Sequence, residues 1–215
     1  MLEYYIGLSL APAATIETGI AVLDTNNTLI LVDKFFTMKD VQHFFDNYSS
    51  LKVSKICVSL PWDNTLMIGK WRILSKPYQF INTQNKHEFI NVDNWTQRFS
   101  TRGCDYFTSL ADNGVDITRY DLYLSKLKLN LNSNFKQRSP ADCKFLQNIL
   151  RNEYGFYDIP TNMMPAGALE AIIGALVARE RANNNSEVLY NFKGLEVVNV
   201  LDSHSVYKAP LVPIE

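Results

Sequence analysis

Residues 4–36 read YYIGLSLAPAATIETGIAVLDTNNTLILVDKFF, and this stretch contains three strand-forming segments. The first segment, residues 4–11, combines aromatic and branched residues in the alternating pattern of a strand. The second and third segments are residues 18–24 and 28–36, and the polar turn Asp24-Thr25-Asn26-Asn27 connects them. Because a turn this short predicts an antiparallel hairpin, the chain is expected to begin with three consecutive strands.

A helix and a buried strand are predicted next. Val41, Phe44 and Phe45 recur at helical spacing within residues 38–48, which predicts an amphipathic helix. Residues 55–60 form a mainly apolar run, which is typical of a strand covered on both faces of its sheet. The resulting order β-β-β-α-β predicts an α/β protein with a mixed central sheet flanked by helices.

Three later segments extend this pattern. Residues 101–113 are expected to form a helix that ends at Gly114. Residues 121–131 alternate leucines with other residues, which favours a strand, or a strand leading into a loop. Ser139-Pro140-Ala141-Asp142 predicts the start of another helix, because serine caps, proline fits the first turn and the acid lies near the positive end of the helix dipole.

Residues 165–183 contain the most regular helical pattern in the chain. Their apolar residues recur at i, i+3, i+4, i+7 and i+8 from Leu169, and small residues such as Gly174 fill much of the remaining surface. A surface this smooth allows the helix to lie close to a sheet. Glu170 lies beside the apolar stripe, and residues 195–201 are expected to form a late strand.

The bulk composition fits one globular domain. The chain has 215 residues, 47% of them hydrophobic, with a formal net charge of −1. We therefore assign residues 1–215 to a single domain with an aromatic-rich insertion at about 61–100. The charge shows no basic excess, and the three cysteines lack the spacing of a disulfide framework. A cytoplasmic location without a membrane partner is expected, because the sequence shows neither a signal peptide nor a membrane-spanning run.

Four segments occur in the same order as in a known protein family. They are Ile6-Gly7-Leu8-Ser9-Leu10-Ala11, Val58-Ser59-Leu60-Pro61, Arg102-Gly103-Cys104-Asp105 followed by Gly114-Val115, and the alanine-rich run Ala168–Ala178 that contains Glu170. Together they resemble a family of predicted nucleases, domain-of-unknown-function family 429. The resemblance spans most of the chain and implies an RNase H-like fold.

The resemblance also implies where a nuclease site would lie. RNase H-like nucleases cut phosphodiesters with two divalent metals, held by carboxylates, that activate water and stabilise the leaving oxygen. The family positions that supply these acids correspond to Ser9, Ser59 and Glu170. Because serine is neutral, the expected cofactor is none, or a weakly bound Mg²⁺ or Mn²⁺ at Glu170.

Two functions are compatible with this pattern. The first is a catalytically degenerate RNase H-like domain that acts as a binding or assembly module, with nucleic acid, another protein or a second copy as its partner. The alternative is a metal-dependent nuclease in which Asp63 or Asp105 joins Glu170. Each acid also has an ordinary interpretation: Asp63 as a loop acid, Asp105 as a first-turn helix acid and Glu170 as a solvated helix acid.

Candidate nucleic-acid contacts lie in the insertion and directly after it. Lys70 and Arg72 occur among aromatic residues, a combination suited to phosphate contacts and base stacking, although a solvated surface is the ordinary alternative. Arg102, in the third family segment, is a further candidate. Other chemistry is not indicated, since the sequence has no Walker loop or Gly-x-Ser-x-Gly motif and its three histidines lack metal-ligand spacing.

Overall fold

The computed structural model describes residues 3–11, 13–48, 53–59, 102–192 and 195–201. The predicted insertion at 61–100, which contains Asp63, Lys70 and Arg72, lies outside the described residues. The described residues form seven strands and five helices, which confirms the predicted α/β class.

All seven strands belong to one mixed sheet. They are β1 (Tyr4–Ser9), β2 (Thr18–Asp24), β3 (Leu29–Phe35), β4 (Val53–Ser59), β5 (Ile117–Tyr120), β6 (Ser186–Phe192) and β7 (Leu195–Val200). Their order across the sheet is β3-β2-β1-β4-β5-β7-β6. The pairs β1–β2, β2–β3 and β6–β7 are antiparallel, whereas β4, β5 and β7 run parallel to β1. The predicted hairpin is therefore confirmed, and the first three strands form one side of the sheet.

Five helices flank the sheet. They are α1 (Met38–Tyr48), α2 (Cys104–Asp112), α3 (Leu122–Lys128), α4 (Pro140–Asn152) and α5 (Ala166–Ala182). At the start of α1, the Asp40 backbone N–H donates to the Thr37 hydroxyl and the Thr37 N–H donates to the Asp40 carboxylate. α4 begins where predicted, because the Ser139 hydroxyl accepts from the Asp142 backbone N–H and Pro140 lies in the first turn.

The sheet separates two apolar cores, and alternate residues of β1 contribute to each. Ile6 packs on one face with Phe44 of α1 and Phe107 of α2. Tyr5 packs on the other face, in the core that contains α5 and residues of α3 and α4. Since side chains alternate along a strand, Ser9 lies on the same face as Tyr5 and α5.

α5 is enclosed on all sides. Every residue from Gly167 to Glu180 is buried, because the sheet covers one side of the helix and α3 and α4 pack against the other. The helix lies so close to β1 that a Cβ on Gly7 would be 2.1 Å from the Ala171 carbonyl oxygen and from the Ala175 nitrogen. Only glycine permits this approach of two backbones. The interpretation of Glu170 as a solvated acid is therefore wrong, since Glu170 is only 3% exposed.

The prediction of a strand over residues 121–131 is wrong. This segment contains α3, and the strand β5 precedes it. The Asp121 carboxylate accepts a 2.9 Å hydrogen bond from the Leu124 backbone N–H, which caps the helix. The alternating leucines suggested a strand, but Leu127 is 44% exposed, so burial does not follow the alternation.

Asp121 predicts a pH-dependent stability. Burial raises the pKa of this carboxyl to about 6, although the backbone N–H groups of Leu124 and Tyr123 lower it. An acid with a raised pKa destabilises the fold when it ionises, so stability declines as the pH rises from roughly 4, the ordinary value, to about 6. Asp121→Asn keeps a capping group without the charge. It should be about 1–3 kcal/mol more stable than the wild type above neutral pH, with no gain below roughly pH 4.

Urea denaturation of both proteins at several pH values measures this difference. A variant that is less stable than the wild type in alkaline as well as acidic buffer would contradict the role given to the Asp121 charge.

Two further expectations concern the membrane and the cysteines. None of the described helices has both the length and the apolar character that crossing a bilayer requires. Cys57 and Cys143 are buried and form no disulfide, in agreement with the lack of disulfide spacing in the sequence. The cytoplasmic location stays a prediction.

Candidate functional site

The carboxyl ends of β1 and β4 meet at one edge of the sheet. Because these strands are parallel neighbours in register, their last residues, Ser9 and Ser59, lie side by side. Both serine side chains are buried. The Ser59 hydroxyl accepts a 3.0 Å hydrogen bond from the backbone N–H of Leu10, the residue that follows Ser9. Two of the three positions that the family resemblance indicates are thus adjacent.

Glu170 reaches this edge from α5. The Ser9 hydroxyl donates a 2.7 Å hydrogen bond to Oε2 of the Glu170 carboxylate. The Glu170 backbone carbonyl accepts a 2.9 Å hydrogen bond from the Tyr120 hydroxyl, which fixes this turn of the helix against the end of β5. The structure therefore brings Ser9, Ser59 and Glu170 together.

Arg138 balances the charge of Glu170. Its Nε donates to Oε1 at 3.0 Å and its Nη2 donates to Oε2 at 2.7 Å, so the planar guanidinium binds both carboxylate oxygens. The Arg138 side chain is 31% exposed, whereas the Glu170 side chain is 3% exposed. The arginine therefore extends inward from the surface, and its guanidinium lies against the buried acid.

The loop before α4 holds Arg138 in this position. Arg138 has a φ of 59°, a left-handed conformation that costs roughly 1–2 kcal/mol in a residue with a side chain. Its backbone N–H donates to Oδ2 of Asp142 at 2.9 Å, and Asp142 also accepts from the Ser133 hydroxyl. Nζ of Lys126 lies 3.8 Å from the same Asp142 oxygen. Two acids and two bases therefore form a cluster in which the formal charges cancel.

Glu170 is ionised at neutral pH. Burial alone would raise the pKa of this carboxyl, but the charge and hydrogen bonds of Arg138, together with Lys126 and the Ser9 hydroxyl, outweigh burial and lower the pKa. An acid with a lowered pKa contributes stability above its ordinary pKa. That contribution is lost as the pH falls through the lowered value.

These residues do not fit a divalent metal centre. Two-metal hydrolysis needs several carboxylates, whereas Ser9 and Ser59 are neutral and both oxygens of Glu170 bind Arg138. Within the described ranges, no three His, Cys, Asp or Glu side chains lie close enough together to hold an ion. This edge of the sheet instead holds the carboxylate of Glu170, the hydroxyls of Ser9 and Ser59 and the guanidinium of Arg138.

The other candidate residues that the structure describes have settings that differ from that of Glu170. Asp105 is exposed in the first turn of α2, whose core residues pack on the sheet face opposite α5. Arg102 donates to the backbone carbonyls of Ala11 and Phe36, the latter at 3.0 Å, so its guanidinium connects the segments that follow β1 and β3. A phosphate contact at Arg102 stays a prediction. Asp63, Lys70 and Arg72 lie outside the described residues.

Sequence reasoning missed Arg138 and Lys126. A carboxylate within an otherwise apolar helix needs a compensating charge, so Glu170 itself signalled a basic partner. The sequence does not identify that partner, because Arg138 precedes Glu170 by 32 residues and lies in a loop.

No protein-family model matches the chain, and a search of curated proteins finds no similar sequence. The family resemblance therefore rests on the pattern of residues within the chain itself.

Proposed function

We propose that the chain is an RNase H-like domain that does not hydrolyse phosphodiesters and acts as a binding or assembly module. The observation that carries the proposal is the bidentate ion pair between Arg138 and Glu170, at 3.0 and 2.7 Å. This pair engages the one carboxylate at the positions where the related nucleases are expected to hold metal.

The order of the elements supports the fold. Three antiparallel strands, a helix and a fourth strand parallel to the first occur in the order that the resemblance implies. α5 then carries Glu170 to the carboxyl ends of β1 and β4, where the resemblance places the last acid. Because a fold alone does not define an activity, the proposal depends on the site residues.

The site residues support the loss of hydrolysis. Serine replaces carboxylate at two positions, and the positive charges of Arg138 and Lys126 both act on Glu170. Cations already present at the site oppose the approach of a divalent ion. Such a domain would have an RNase H-like fold without the metal ligands of a nuclease. Binding of nucleic acid, another protein or a second copy is the function that remains.

Titration with Mn²⁺ tests this proposal. Calorimetry on the wild type and on Glu170→Ala is expected to detect no specific binding to either protein, because Arg138 already neutralises the carboxylate. Branched and single-stranded DNA and RNA should remain intact in the presence of Mn²⁺. Micromolar binding that Glu170→Ala abolishes, accompanied by cleavage, would refute the proposal.

The alternative function is a nuclease that uses Glu170 with Asp63 or Asp105. Asp105 gives it little support, because this residue is exposed on the helix that packs on the opposite face. Asp63 lies outside the described residues. If the wild type cleaves nucleic acid, the variants Asp63→Asn and Asp105→Asn identify the acid that assists Glu170.

A further inference from the structure

We infer that the guanidinium of Arg138 occupies a cation-binding position at the Glu170 carboxylate. Removing the Arg138 side chain would then leave a binding site for a small external cation, best matched by guanidinium. The inference rests on the proposed function, since it treats the cluster as the place of a nuclease metal. Its test needs no enzymatic activity.

The carboxylate is oriented for a planar cation. Nε and Nη2 of Arg138 bind Oε1 and Oε2 side by side, which is the two-point geometry of a guanidinium on a carboxylate. The Ser9 hydroxyl donates to Oε2 from the other side at 2.7 Å. Because Ser9 belongs to β1, an interior strand of the sheet, it continues to orient Glu170 when Arg138 is replaced.

Burial makes a positive charge necessary at this place. Glu170 is 3% exposed on a helix that is covered on all sides, so its carboxylate cannot turn into water. Lys126 is the second base of the cluster, and its Nζ lies 3.8 Å from an oxygen of Asp142. A buried carboxylate that loses its bidentate partner is strongly destabilising.

The Arg138 side chain lies between a surface pocket and the Glu170 carboxylate. Arg138 lines a surface pocket of about 250 Å³ together with Pro140 and Met164. Truncation of its partly exposed side chain would extend this pocket inward to Glu170. The backbone hydrogen bond from Arg138 to Asp142, at 2.9 Å, does not involve that side chain, so the loop should keep its path.

Thermal unfolding of Arg138→Ala tests the inference. The variant should melt about 5–15 °C below the wild type, because it leaves Glu170 unbalanced. Millimolar guanidinium chloride, far below denaturing concentrations, should raise the Tm of Arg138→Ala by about 1–4 °C relative to equal NaCl.

The matched control is the double variant Arg138→Ala/Glu170→Gln, which has the same enlarged pocket without the charge. Guanidinium should not raise the Tm of this double variant or of the wild type. An equal response of Arg138→Ala and the double variant would overturn the inference. Alanine has the same left-handed strain at this position as arginine, so the backbone does not confound the comparison with the wild type.

Two further measurements apply if Arg138→Ala does not fold. Arg138→Gln keeps most of the side-chain length and should show the same guanidinium response, which its combination with Glu170→Gln should abolish. In the wild type, the nuclear magnetic resonance signal of the Arg138 Nε–H should exchange slowly and stay unchanged in millimolar Mg²⁺. Displacement of that signal by Mg²⁺ would show that the cluster is open to divalent ions and would overturn the inference.

The results that would refute the proposed function differ from those that would refute the role of Arg138. Mn²⁺-dependent cleavage by the wild type would refute the proposed function whatever the guanidinium response of the variants. If the wild type has no nuclease activity and guanidinium fails to raise the Tm of Arg138→Ala, only the role of Arg138 is refuted.

Discussion

Gly7→Ala is expected to lower the free energy of unfolding by more than about 4 kcal/mol, or to prevent folding altogether. The added methyl group would lie 2.1 Å from the carbonyl oxygen of Ala171 and from the nitrogen of Ala175. Both are backbone atoms in the buried part of α5, so no side-chain rotation can relieve the overlap. α5 would have to move away from β1, which would separate Ser9 from Glu170. Urea unfolding followed by circular dichroism measures the loss.

Gly167→Ala provides the control, since it makes the same chemical change in α5. Its Cβ would lie 3.2 Å from the Glu17 carbonyl oxygen and 3.3 Å from the Gly19 nitrogen, so a small shift accommodates it. The expected change is below about 1.5 kcal/mol, because the higher helix propensity of alanine offsets part of the overlap. Equal midpoints for Gly7→Ala and the wild type would show that β1 and α5 are not as closely packed as the structure has them.

Ser9→Asp is expected to be the most damaging change at the site, and its effect should depend on pH and on divalent ions. The new carboxylate would replace a hydroxyl that donates to Glu170 at 2.7 Å, so two buried acids would share one arginine. Like charges this close raise the pKa of the pair. The variant should therefore lose about 3 kcal/mol or more of stability as the pH rises from roughly 5 to 8.

Mn²⁺ should restore part of the stability that Ser9→Asp loses at alkaline pH, because a second carboxylate supplies a metal ligand that the wild type lacks. Ser9→Asn is the control, because asparagine has nearly the same size as aspartate but carries no charge. It should show neither the loss with pH nor the response to Mn²⁺. Thermal unfolding across this pH range, with and without Mn²⁺, distinguishes charge from size; matching curves for the two variants would exclude the charge mechanism.

At the other end of α5, a buried glutamate is likewise paired with an arginine. Nε and Nη2 of Arg179 donate to Oε1 of Glu180 at 3.0 and 2.8 Å, and Asn185 donates to Oε2 at 2.9 Å. Each of these buried charges has a hydrogen-bonded partner, as the low dielectric of an interior requires. The pair at Glu170 differs in that its base comes from a distant loop.

Much of the fold was predictable because its signals are local. The hairpin of β2 and β3 follows from a short polar turn, and the start of α4 follows from Ser139 and Pro140. α5 follows from apolar residues at helical spacing and from its small side chains. The structure brings together Ser9, Ser59 and Glu170, the three positions that the resemblance singles out.

Two elements, α3 and β6, were not predicted correctly from the sequence, and each has a physical explanation. The leucines of residues 121–131 alternate as in a strand. The segment nevertheless forms a helix, because Asp121 caps its N-terminus and its residues pack in the core. β6 escaped prediction, since an edge strand that pairs only with β7 among the described residues needs no strong apolar pattern of its own.

The sequence by itself determined the class of fold, the places of the main helices and the absence of carboxylates at positions 9 and 59. Only the tertiary structure decided that Glu170 is buried and that Arg138 neutralises it. Periodicity and capping act over a few residues and can be recognised in the chain. The partner of a buried charge is chosen by which loop the completed fold places beside it, and here that loop carries a residue 32 positions away.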